Sequence, residues 1–159
     1  MTPVAAPSSK PVAELLGEHA FFRGASPGLL HAASEGAREQ SYRTGEYLLR
    51  EGRVADELYV VLDGKVALEM YAADRMRLTV QTVGRGEVVG WSWLVPPHRW
   101  TLDAIAVKPT RAIAVPASSL WARFQQAPAE GYEFLLRLVP VLAGRIQAME
   151  MQLLEADVL

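Results

Sequence analysis

Gly84-Arg85-Gly86-Glu87-Val88-Val89-Gly90-Trp91-Ser92-Trp93-Leu94-Val95-Pro96-Pro97-His98-Arg99-Trp100-Thr101 is the stretch on which the fold reading turns. Three of its first seven residues are glycine, which enters backbone conformations that side chains resist and therefore marks tight turns. The pattern continues upstream, where Gly45, Gly52 and Gly64 interrupt short runs of β-branched and aromatic residues. Such punctuation predicts strands at 39–42, 47–50, 57–62, 65–71, 77–83, 101–107 and 111–115. The turns between them leave no room for crossover helices. Short strands spaced by about 8–12 residues point to a mainly β jelly-roll barrel, over about 38–116, with flanking α-helices.

Outside the barrel the periodicity is helical. Val12, Leu15, Leu16, Ala20 and Phe22 give a first helix ending near Gly24. Ser26-Pro27 supplies an N-cap and a proline at the first position of a second helix, which reaches Gly36. Beyond the barrel, Ser118-Ser119 is read as the cap of a helix, and helical spacing resumes after Ala127-Pro128, so C-terminal helices occupy about 118–157. Within the last helix Leu135, Val139, Leu142, Ile146, Met149, Leu153 and Ala156 alternate steps of four and three, the seam of a coiled coil. In that register Arg145 and Glu150 take the g and e positions that pair parallel helices. The reading is a homodimer through Leu135, Val139, Leu142, Ile146, Met149 and Leu153, against the alternative that the stripe packs on its own barrel. Pro140 lies inside the seam, and the paired part is expected to begin after it.

The 159 residues are 50% hydrophobic and 21% charged, with a net charge of −2, as expected of one compact soluble domain over 12–159 behind a flexible tail at 1–11. Sixteen basic residues against eighteen acidic ones leave no electrostatic footprint for nucleic acid, so direct DNA binding is not expected. No apolar stretch approaches the roughly 20 residues that span a bilayer, so no membrane insertion is expected. The absence of cysteine removes disulfide frameworks, thiolate metal sites and cysteine nucleophiles, and fits a cytoplasmic protein. His19, His31 and His98 are scattered, so no metal or other cofactor is expected; His98 beside two prolines reads as a loop residue rather than a haem ligand. There is no Gly-x-Ser-x-Gly elbow and no Gly-x-x-x-x-Gly-Lys-Ser/Thr loop, and the paired acids fall on solvated faces. An enzyme is not expected.

The order helix, glycine-punctuated barrel, long helix resembles the cyclic nucleotide-binding domain of catabolite-activator-like regulators, kinase regulatory subunits and gated channels. The resemblance covers about 21–153. It rests on Phe21-Phe22-Arg23-Gly24, Gly45-Glu46, Glu51-Gly52, Ala55-Asp56-Glu57-Leu58-Tyr59-Val60-Val61, Gly64-Lys65-Val66 and the glycines of the opening stretch, in that order and spacing. It implies a noncatalytic regulatory or scaffolding module. Catabolite-activator-like factors append a helix-turn-helix domain; direct transcriptional control through such a domain is not expected here.

The resemblance also implies a phosphate-binding cassette, with a glycine at Gly90, a glutamate after it, a short helix and an arginine before the next strand. Amides and the arginine would neutralise the cyclic phosphate while the glutamate accepts a hydrogen bond from the ribose 2′-hydroxyl. Here Trp91 stands in the glutamate position, and indole donates a hydrogen bond but accepts none. Counting back from Ala106-Val107-Lys108-Pro109-Thr110 puts Trp100 at the arginine position and Arg99 one residue early. A one-residue shift along a strand reverses the side chain. Each lost charge-assisted contact is worth roughly 1.5–3 kcal/mol, so losing two weakens binding by about two to four powers of ten. Binding of cyclic AMP and cyclic GMP is therefore expected to be impaired, and the candidate ligand-binding residues are Gly90, Trp91, Ser92, Trp93, Arg99, Trp100 and Thr101. Two readings of the tryptophans stay open: an altered pocket or partner surface that uses indole faces, or rings that fill a vacated cavity. The alternative function is a small-molecule receptor for a cyclic nucleotide or another anion; a protein partner is the other expectation.

Overall fold

The structure is a computed structural model, and it describes residues 6–157; residues 1–5 of the expected tail, and Val158 and Leu159 of the expected domain, lie outside the described residues. Two short helices, α1 (Val12–Glu18) and α2 (Pro27–Ser34), precede eight strands: β1 (Arg38–Tyr42), β2 (Tyr47–Leu49), β3 (Glu57–Asp63), β4 (Lys65–Tyr71), β5 (Arg77–Gly84), β6 (Val88–Val89), β7 (Asp103–Ala106) and β8 (Thr110–Pro116). Helices α3 (Ala117–Gln126) and α4 (Pro128–Asp157) follow. The strands form two four-stranded antiparallel sheets, β1-β8-β3-β6 and β2-β7-β4-β5. This is the jelly roll that the strand spacing predicts.

Why the sheets face each other follows from the side chains they bury. Val60, Val66, Leu68, Val83, Val88, Ala104, Ala106 and Ile113 lie in one continuous core with the helical residues Leu16, Leu29, Leu120 and Phe134. In β3 four consecutive residues, Leu58 to Val61, are buried, because this strand has neighbours on both faces rather than alternating between core and water. Gly64 makes the β3–β4 connection at φ +105°, where an added Cβ would lie 2.5 Å from the Pro109 carbonyl. No other residue fits that turn.

Four details differ from the sequence reading. Helix α1 stops at Glu18 instead of running to Phe22, because His19 turns extended and its buried ring bridges two backbone groups: Nε2 lies 2.8 Å from the Val61 carbonyl and Nδ1 accepts the Phe21 amide at 3.1 Å. That exit turns Phe21 and Phe22 into the core. Strand β6, two residues long, is too short to leave a periodic signal, and is defined by its pairing of Val88 and Val89 with β3. Strand β7 begins at Asp103 rather than residue 101, where the buried Asp103 carboxylate accepts the Glu51 amide at 2.7 Å. Finally, Ser118 and Ser119 do not cap α3, which begins at Ala117 after Pro116 with no side-chain cap; Ser119 instead donates to the Glu35 carbonyl at 3.0 Å.

Helix α4 continues through Pro140. Its first half is fixed to the domain by Phe134, whose ring centroid lies 5.6 Å from Phe21, 5.7 Å from Trp93 and 5.3 Å from Phe124. From Ile146 to Asp157 every residue is exposed. At 1.5 Å per residue this leaves about 18 Å of helix beyond the barrel.

Candidate functional site

The site is built by the segment between β6 and β7. Gly90 leaves β6 at φ +90°, and a Cβ there would meet the Trp100 ring at 2.9 Å and the Glu57 carbonyl at 3.1 Å. Only glycine allows the indole of Trp100 to lie directly against this backbone. After Gly90, a single 3-10 turn at Ser92–Leu94 reverses the chain.

The tryptophans divide into different roles. Trp93 is fully buried; its indole N–H donates to the Gly90 carbonyl at 3.0 Å, and its ring packs on Phe134 and, edge to face at 6.2 Å, on Trp121. It ties the 3-10 turn to α3 and α4. Trp100 is 6% exposed and lies inside the barrel, with Tyr59 6.5 Å away. Trp91 is half-buried beside it.

The direction of Arg99 and Trp100 is set by a short ladder. The Ala55 amide donates to the His98 carbonyl at 2.8 Å, the Trp100 amide to the Arg53 carbonyl at 2.9 Å, and the Gly52 amide to the Trp100 carbonyl at 2.8 Å. Arg99 pairs with Val54 in an isolated bridge. Successive side chains in such extended backbone point to opposite faces. Trp100 therefore takes the inner side, while Arg99 is exposed and donates to the Gly52 carbonyl at 2.9 Å.

Of the seven candidate residues, the structure brings Gly90, Trp91, Ser92, Trp100 and Thr101 around one cavity of about 30 Å³. Trp93 and Arg99 are not in its wall. Space of that size holds about two waters. A residue that the sequence reading assigned elsewhere completes the wall: Arg145, from α4. The expected g–e pairing of Arg145 with Glu150 is corrected here, because Arg145 turns to its own barrel and donates to the Val88 carbonyl. Burial holds its pKa below the ordinary arginine value, with the Glu87 charge acting in the opposite direction. Its spacing carried the signal: Phe134, Leu138, Val141 and Arg145 form a stripe of steps four, three and four on the barrel side of α4.

The residues read as a dimer seam separate by height. Leu142 packs on the core from a half-buried position, whereas Leu135, Val139, Ile146, Met149 and Leu153 are between 40% and 68% exposed. Among the described residues no group of three His, Cys, Asp or Glu side chains could hold a metal ion, and no helix is long and apolar enough to cross a membrane.

A jelly roll closed by terminal helices, with a short turn between β6 and β7 facing the barrel interior, defines a binding module. The family model of the cyclic nucleotide-binding domain matches residues 39–127, more than half of the chain, and the chain belongs to that family. It is 24% identical over 134 residues to the CRP-like cAMP-activated global transcriptional regulator of Mycobacterium tuberculosis, covering 84% of this chain and 58% of that protein. A solved structure from Geobacter metallireducens, described as a cyclic nucleotide-binding protein, superimposes with a TM-score of 0.74 at 27% identity, over 85% of this chain and 98% of that one. A cyclic nucleotide-binding domain from Methylobacillus flagellatus gives a TM-score of 0.75 at 20% identity, over 92% and 82% of the two chains, and the Thermus thermophilus catabolite activator protein gives 0.66 at 23%, over 87% and 63%. The last two likenesses concern the fold alone.

Proposed function

We propose that this chain is a noncatalytic regulatory or scaffolding module in which Trp100 occupies the place of the messenger, so that cyclic AMP and cyclic GMP bind weakly or not at all. One observation carries the reading: the Trp100 ring lies against Gly90, leaving about 30 Å³ in the cassette. Pockets that enclose organic ligands usually measure about 300–1,000 Å³. Trp91 in the glutamate position and an exposed Arg99 add to it, since neither offers the cavity a carboxylate or a guanidinium.

The module acts as a homodimer through α4. The last twelve residues of the helix have no packing partner among the described residues, yet they present Ile146, Met149, Met151, Leu153 and Leu154 to water. A second copy of the same segment gives those side chains a partner.

Titration calorimetry tests the binding claim. The expected result is no measurable heat with cyclic AMP or cyclic GMP at millimolar nucleotide. Micromolar binding would overturn it in favour of the receptor reading, which the cAMP-activated Mycobacterium tuberculosis relatives support by their function.

A further inference from the structure

The cassette cavity has a cation in its wall that the cassette itself does not supply. Arg145 is half-buried on α4 and lines both this cavity and a wider groove of about 550 Å³ between α4 and the barrel. Its hydrogen bond goes to a neutral carbonyl, that of Val88. Among the described residues no carboxylate lies within ion-pairing distance of it. Glu87, in the wall of the same groove, is exposed, and its carboxylate accepts the Gly84 amide at 2.7 Å. Arginine does not give up its proton, so a half-buried guanidinium whose one hydrogen bond goes to a carbonyl keeps a charge that only the more distant Glu87 carboxylate offsets.

The rest of the cavity wall is polar as well as aromatic. Ser92, which is buried, and Thr101, which is exposed, both line it. A guanidinium and two hydroxyl-bearing residues in the wall of a space for about two waters suit one compact, singly charged anion, and the size excludes a nucleotide. We infer that the cassette cavity is a binding site for a small monovalent inorganic anion of about the size of chloride or bromide, held by Arg145 from α4 with the hydroxyls of Ser92 and Thr101. The inference rests on the reading that Trp100 fills the nucleotide place. Because Arg145 belongs to α4 and the hydroxyls to the barrel, a bound anion ties the terminal helix to the cassette, and its concentration sets how firmly α4 is held.

The probe is bromide, which scatters anomalously. Crystals of the full chain soaked in sodium bromide are expected to show a bromide peak within hydrogen-bond reach of Arg145. In solution, replacing sodium gluconate by sodium bromide at constant ionic strength should raise the melting temperature saturably. Arg145→Gln is expected to weaken that response at least about tenfold, the loss of one charge-assisted contact. Should that variant fail to fold, Thr101→Val, which leaves the Arg145 bond to Val88 intact, must still weaken it. No bromide at Arg145, together with melting that is the same in both salts, overturns the site. If calorimetry also finds no nucleotide binding, only the anion site has failed; micromolar cyclic AMP binding overturns instead the filled cassette and the size argument with it.

Discussion

Replacing Trp100 by alanine removes the side chain on which the proposed function depends. The indole is 6% exposed and contacts the Gly90 backbone so closely that a methyl group could not come between them. Trp→Ala changes in a core cost about 3–5 kcal/mol, from lost transfer free energy and from the cavity left behind. For a domain with a stability of about 5–15 kcal/mol the variant still folds, with its margin much reduced. At a urea dependence of about 2 kcal/mol per molar, a loss of about 4 kcal/mol lowers the unfolding midpoint by about 2 M. Urea titration followed by far-ultraviolet circular dichroism measures it, because that signal does not depend on the deleted ring. The cavity should also accept a substitute: indole in solution should raise the midpoint of the variant and leave the wild type unchanged, as expected for a ligand that binds only the folded state. A loss below about 1 kcal/mol would refute the reasoning, since it would mean that the ring is not packed inside the barrel.

Two further outcomes are expected. His19 is buried, and burial lowers its pKa from 6.5 more than the hydrogen bond to Val61 raises it. The unfolded chain therefore binds the proton more readily, so the contribution of the neutral ring is complete above about pH 6.5 and declines as the pH falls through and below that value. Protonation would also place a donor at Nδ1 opposite the Phe21 amide. Urea midpoints at pH 7.5, 6.5 and 5.5 should fall more steeply for wild type than for His19→Gln; parallel profiles would exclude the linkage. For the dimer, light scattering should give twice the chain mass for wild type and the single mass for Ile146→Asp, because Ile146 is 53% exposed and its substitution spares the fold. A wild-type monomer at all concentrations would remove the dimer.

Much of the architecture is local in origin and could be read from the chain. Glycines at fixed intervals, β-branched runs and the Ser26-Pro27 helix start are consequences of backbone conformational preference, which acts within a few residues. The same holds for one chemical fact of the cassette: indole at position 91 has no lone pair to offer a sugar hydroxyl, whatever the fold. The misreadings lie where a distant partner decides. His19 ends α1 early because Val61, 42 residues away, receives its ring. Strand β6 consists of two residues and exists through its pairing with β3.

The site divides along the same line. Sequence alone left Arg99 and Trp100 as alternatives for the inward position, because a strand's two faces are equivalent until a neighbour fixes them. The ladder to Arg53 and Ala55 settles which one enters the barrel. Arg145 shows the same dependence: the heptad pattern placed it at an interhelical position, and the packing of α4 on the barrel turned it to Val88. Local chemistry thus set what each residue could offer, and long-range pairing, through register and helix rotation, set which of them face the cavity.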